Sequence, residues 1–223
     1  MREHSQFRLF GQRRFLPFFG AQALGAFNDN VYKNVLIILA TYHAATYTTM
    51  DPRVLTNLAG GLFILPFVLF SGMAGQLADR YDKTLVLKIV KAAEIFIMSV
   101  AALGFARQHL PTLLAALFMM GMHSTFFAPA KYGILPEVLR DTELVGGNAL
   151  IQMGTFVAIL LGTLFAGLLA SHGDTGVISA SIVLIAAGGF VMSLAIPRLR
   201  AAAPQLAIDW RPWTSIRDNV RAA

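Results

Sequence analysis

The chain has 223 residues, 56% of them hydrophobic and only 13% charged, with a mean hydropathy of +0.62. A soluble domain carries about a quarter charged residues, so this composition excludes an ordinary water-soluble globule and fits a membrane protein. The absence of cysteine excludes a disulfide framework and thiolate metal sites, and the net charge of +6 suggests nucleic acid only until the basic residues are placed along the chain.

Residues 1–14 form a basic arm with Arg2, Arg8, Arg13 and Arg14. The apolar run that follows is too long for a signal-peptide core and has no small-residue cleavage site at its end, so no cleavable signal is expected. Six stretches can each cross about 30 Å of hydrocarbon, which takes about 20 helical residues. They are 15–42, 54–78, 84–106, 111–130, 146–170 and 176–196, and proline, glycine and charged residues fill the gaps. Residues 15–196 are therefore expected to form one six-span, all-α bundle, with 197–223 as a linker.

Lysine and arginine set the orientation. The arm holds four, residues 79–91 four (Arg80, Lys83, Lys88 and Lys91), residues 131–145 two, and the tail after Pro197 five. Of the remaining three, Arg53 and Arg107 fall on the other side and Lys33 inside a span. This is a positive-inside pattern with both termini cytoplasmic, so the charge is a topology signal and no nucleic-acid partner is expected.

The first span is interrupted at its middle by Phe27-Asn28-Asp29-Asn30-Val31-Tyr32-Lys33-Asn34. An ionisable residue at that depth costs at least ~2.5–3.5 kcal/mol unless it faces protein or water. Gln22, Asp29 and Lys33 fall at i, i+7 and i+11, within about 20° of one line on a helix. They form a polar stripe that must point into a bundle with a water-filled cavity. The fourth span carries a second mid-membrane polar group, His123-Ser124-Thr125. In the third, Lys91 and Glu94 are one turn apart and read as a salt bridge near the cytoplasmic interface. In the fifth, Asn148, Gln152 and Thr155 share a face suited to interhelical hydrogen bonds. The five histidines (His4, His43, His109, His123 and His172) are scattered, with no HExxH and no paired acids. Neither enzyme activity, metal site nor cofactor is expected.

Beyond Pro197, Trp210, Trp213 and Ile216 recur every three residues with arginines between them. That spacing suits a short helix at the membrane surface or, equally, a plain linker. The chain stops where a connecting loop would lead into further spans.

Gly75-Gln76-Leu77-Ala78-Asp79-Arg80-Tyr81-Asp82-Lys83, in the tight turn between the second and third spans, resembles the loop motif G-x-L-A-D-R-x-G-R-[KR] of the major facilitator superfamily. Asp82 stands where that motif has glycine. Gly162-Thr163-Leu164-Phe165-Ala166-Gly167 resembles a degenerate form of the superfamily's G-P-x-x-G-G motif, without its proline. Ala128-Pro129-Ala130-Lys131-Tyr132-Gly133-Ile134-Leu135-Pro136-Glu137, with Gly25 to Asn30 and the tryptophan tail, resembles the bacterial lysophospholipid transporters. Within that branch the likeness is to the form fused to acyltransferase and acyl-carrier-protein synthetase domains.

The resemblance implies the N-terminal half of a twelve-span fold, built from two inverted three-helix repeats whose first and fourth spans line the cavity. It implies transport of lysophospholipid across the bacterial inner membrane for reacylation, with a second six-helix half and, in the fused form, an acyltransferase as partners. Asp29, Asn30, Lys33, Gln22 and His123 are the candidate substrate-binding residues. Asp29 and Lys33 would meet the ammonium and phosphate of a zwitterionic headgroup, or would instead neutralise each other at i,i+4. Gly75, Asp79, Arg80 and Lys83 are the candidate gating motif, Gly75 allowing close helix packing. Two other readings stay open: a proton-coupled carrier of a small polar solute or drug, and an inert or anchoring fragment.

Overall fold

The computed structural model describes residues 6–42, 47, 48, 50–199 and 201–208. The Trp210 and Trp213 pattern lies outside the described residues. Among them six long helices follow one another: α1 (Leu16–Tyr42), α2 (Pro52–Arg80), α3 (Lys83–Ala106), α4 (Leu110–Val138), α5 (Leu144–His172) and α6 (Thr175–Leu194). Short 3-10 turns, Gln6–Gly11 and Asp141–Glu143, precede α1 and α5. The starts of three helices are fixed by aspartate caps. Asp51, Asp82 and Asp174 each accept a hydrogen bond from the backbone N–H two residues on, at 2.7, 2.8 and 2.7 Å. Gly173, at φ 68°, closes α5 in the left-handed conformation that glycine adopts without strain.

Five of the helices, α2 to α6, are long and apolar enough to cross a membrane. The expected sixth, α1, is 27 residues long but is not among them. Its polar centre dilutes its hydropathy. It is instead packed along α5 and α6 inside the bundle, with Val31, Tyr32 and Val35 wholly buried.

The fourth helix also departs from expectation, running on to Val138 where 131–145 reads as a gap. Pro129 and Pro136 lie inside it, each depriving the carbonyl four residues earlier of its donor. Tertiary packing overrides that cost. Ile134, Leu135 and Val138 join Phe15, Phe18, Leu150 and Ile151 in one buried apolar cluster.

The packing has an internal symmetry. α1 lies against α5 as α4 lies against α2; α1 meets α6 as α4 meets α3; and α3 and α6 pack on each other. Exchanging α1 with α4, α2 with α5 and α3 with α6 leaves this set unchanged, the pattern expected of two three-helix repeats. Both related crossings are close. A Cβ at Gly162 of α5 would meet the Phe27 carbonyl oxygen at 2.7 Å, and one at Gly121 of α4 would collide with the Phe63 carbonyl oxygen.

Two apolar clusters fill the bundle. One, with Leu9, Phe15, Phe18, Leu87 and Leu135, lies at the end carrying the α2–α3 turn. The other, with Val35, Met98, Leu117 and Ile182, lies toward the opposite end. Between the clusters, α1, α3 and α4 carry buried polar side chains: Gln22, Asn28 and Asn30 on α1, Lys91 and Glu94 on α3, and His123 and Thr125 on α4.

Candidate functional site: a polar cavity at mid-height

That polar layer opens into a cavity of about 340 Å³ between α1, α2, α4 and α5. Gln22, Asp29, Asn30, Lys33 and His123, the five residues singled out from the sequence, all line it. The helical arithmetic on α1 holds. Asp29 Oδ2 accepts a hydrogen bond from Ser124 Oγ of α4 at 2.9 Å, while Oδ1 is buried with no hydrogen-bond partner among the described residues. Lys33 Nζ lies 5.4 Å from the centre of the Phe63 ring. Asp29 and Lys33 form no ion pair with each other among the described residues, so mutual neutralisation at i,i+4 is not what holds them. Asn30 donates its amide to the Ala26 carbonyl at 2.7 Å, and Gln22 Nε2 donates to the Ile151 carbonyl at 3.4 Å.

Sequence reasoning missed the cavity's other charges. Lys131, read as a loop cation, lies 8% exposed in α4 and donates to Thr155 Oγ1 of α5 at 3.1 Å. Lys91 and Glu94, read as an interfacial pair, are wholly buried at mid-bundle, ion-paired to each other. Glu94 Oε1 also accepts from Asn28 Nδ2 at 3.1 Å, and Glu94 Oε2 lies 3.4 Å from His123 Nε2. His123 stacks on Phe127, and neither ring nitrogen has a hydrogen bond in good geometry. Spacing along single spans carried no signal for this convergence, because its members come from α1, α3 and α4. Of the polar face on α5, Thr155 and Gln152 do reach other helices, through Lys131 and the Tyr132 hydroxyl, whereas Asn148 is exposed. A second hollow of about 460 Å³ lies between α2, α3 and α4; apart from His123 and Tyr81 its lining is apolar.

The loop motif stands apart from the cavity, at the end of the bundle. Lys83 is buried and ion-paired with Glu137 of α4. Asp79 is exposed, its backbone carbonyl accepting from Ala203 N of the tail at 2.8 Å, and the Arg80 guanidinium lies 5.6 Å from the Tyr81 ring centre. The close-packing role expected of Gly75 is absent among the described residues: a Cβ there would meet nothing within 4 Å. Asp82, the departure from the motif, caps α3 at φ −54°, a conformation with no need of glycine. Its Oδ1 also accepts from Leu199 N at 3.4 Å. Nearby, Arg14 Nη2 donates to both carboxylate oxygens of Glu143, at 2.7 and 2.9 Å, and Nη1 donates to the Val138 carbonyl at 2.6 Å, tying the start of α1 to the α4–α5 connection.

No group of three or more His, Cys, Asp or Glu placed to hold a metal occurs among the described residues. The cavity offers fixed charges of both signs, hydroxyls and amides, which is chemistry for binding an ionic or zwitterionic group.

A family model described as Major Facilitator Superfamily matches residues 18–222. Lysophospholipid transporter LplT of Klebsiella pneumoniae (strain 342) is 32% identical over 196 residues, covering 87% of this chain and 46% of the relative. The transporters of the same name from Serratia proteamaculans and Salmonella arizonae are 30% and 34% identical, covering 86% and 82% of this chain and 44% and 43% of their own lengths. The chain thus spans about half the length of the curated relatives it matches. On the family match, the six-helix packing and the loop motif, the chain belongs to the Major Facilitator Superfamily.

Proposed function

We propose that the whole protein carries lysophospholipid across the bacterial inner membrane to the cytoplasmic leaflet, and that this chain supplies the bundle that binds the headgroup. One observation carries the reading: an Asp29 carboxylate oxygen without a hydrogen-bond partner and a Lys33 amine without an ion pair, among the described residues, belong to one mid-membrane cavity. A zwitterionic headgroup answers both at once, its ammonium on Asp29 and its phosphate on Lys33, with Lys131 as a further cation. The name borne by the relatives supports the substrate class. A second six-helix half would close the cavity, and an acyltransferase is the expected consumer of the delivered lipid. Nothing in this scheme requires the chain to be an enzyme or to hold a cofactor.

The test is uptake of labelled lysophosphatidylethanolamine by spheroplasts expressing the natural protein, with and without a proton gradient. Asp29→Asn and Lys33→Met are each expected to cut the initial rate at least about tenfold at unchanged membrane level, the effect of losing one buried charge-assisted contact. Wild-type rates in both variants would remove the reading. Uptake that collapses with the gradient would favour a proton-coupled carrier. Asp79 and Arg80 are proposed as half of a cytoplasmic latch, so Asp79→Asn should lower flux without lowering expression; unchanged flux would discard the latch.

A further inference from the structure

Lys33, Lys91, Lys131 and His123 all reach the cavity, yet among the described residues Asp29 is the only carboxylate in its lining. The acid that matches Lys91 stands one turn along α3 and behind the wall: Glu94 is buried and does not line the cavity. Two glycines let the lysine through. A Cβ at Gly25 of α1 would come within 2.9 Å of Lys91 Nζ, and one at Gly189 of α6 within 2.8 Å. Its amine therefore sits in a notch between helices, facing the cavity while paired with Glu94. The carboxylate is held by Asn28 of α1 and Lys91 of its own helix, with His123 of α4 alongside.

We propose that Glu94, without touching the substrate, determines which headgroup charge the cavity accepts, by cancelling the charge of Lys91. The inference rests on the lysophospholipid reading above. With the pair intact, Lys91 offers a hydrogen-bond donor but no net charge. The cavity then presents one negative charge, Asp29, and two positive ones, Lys33 and Lys131: both poles of a zwitterion are answered and the excess is a single positive charge. Glu94→Gln keeps an oxygen for Asn28 but leaves the Lys91 charge uncancelled at the wall. Lys91→Met does the opposite, leaving an uncancelled carboxylate just behind it. The double variant removes both charges and restores the balance.

The experiment reconstitutes the natural full-length protein in proteoliposomes and measures initial uptake of zwitterionic lysophosphatidylethanolamine and anionic lysophosphatidylglycerol. The readout is the ratio of anionic to zwitterionic rates, which general loss of folded protein does not change. Glu94→Gln is expected to raise the ratio about tenfold and Lys91→Met to lower it by a similar factor, the order expected of one unit charge across a cavity of this size. Lys91→Met/Glu94→Gln is expected to return it to within about twofold of wild type. A ratio that stays at the wild-type value in both single variants makes Glu94 a packing group and overturns the proposal. Should the single variants fail to insert, the charge-balanced double variant still decides. A wild-type ratio supports cancellation, whereas a tenfold drop makes Lys91 a free cation and overturns it. A wild-type protein that moves neither lipid overturns the transport reading, and the proposal with it.

Discussion

Asp29 and Lys33 sit one turn apart on α1 and yet do not pair, because α4 and α2 give each a different neighbour, Ser124 and the Phe63 ring. Lys91 and Glu94, also one turn apart, are locked together in the core of the bundle. The two pairs should answer mutation differently. Removing one member of a buried pair leaves an uncompensated charge, so Lys91→Met alone is expected to destabilise by about 3–5 kcal/mol, while the double Lys91→Met/Glu94→Gln stays near wild type. Thermal melts of the detergent-solubilised protein check this, and equal losses in single and double variants would contradict it. At the motif turn, Asp82→Ala should cost about 1 kcal/mol through the lost cap and Asp82→Gly only a few tenths. The Arg140 backbone N–H, donated to Glu143 at 2.9 Å, and the Arg14 guanidinium hold the Glu143 carboxyl below its ordinary value. A carboxyl held low in the folded state adds stability above its unfolded pKa and loses it as pH falls through the folded one. The melting-temperature gap between wild type and Glu143→Gln should accordingly be present at neutral pH and shrink below about pH 4. A gap that is constant with pH would show that the carboxylate is not responsible.

The helices themselves were largely legible, because proline, glycine and charge punctuate apolar runs where the chain must turn. Five of six expected spans end within a few residues of the observed helices. The exception, α4, outruns its prolines because Ile134, Leu135 and Val138 are buried against α1 and α5, a contact with no trace in the local sequence. Glycines show the same divide. Gly75, Gly121 and Gly162 look alike as small residues in apolar helices, but only the latter two meet a backbone carbonyl. Backbone cannot yield as a side chain can. Gly121→Ala is therefore expected to lower stability by about 1–3 kcal/mol through overpacking. Gly75→Ala should be neutral or stabilising by up to about 1 kcal/mol, since alanine is the better helix former. Equal melting temperatures for the two variants would refute the distinction.

Across the bundle, the repeat symmetry places α1 and α4 at corresponding positions, and these two helices supply most of the cavity's polar groups. Two of the cations counted toward the positive-inside pattern, Lys91 and Lys131, prove to be inside the bundle, but the asymmetry survives without them. Because the chain has no cysteine, orientation can be read by labelling single introduced ones. Arg53→Cys and Arg107→Cys should react with an impermeant maleimide in intact spheroplasts, and Asp141→Cys only after permeabilisation; all three positions are exposed. The reverse pattern would invert the topology.

By itself, the sequence determined the membrane class, the helices and the polar stripe of α1, since composition, punctuation and a 100° repeat are properties of one segment at a time. It could not reveal that Lys91, Glu94 and Lys131 converge on that stripe and on His123. Each looks, along its own span, like an interfacial charge or a packing residue. Only the tertiary structure decided which charges cancel and which face the cavity, because burial and pairing depend on the neighbours that other helices bring to within a few ångströms.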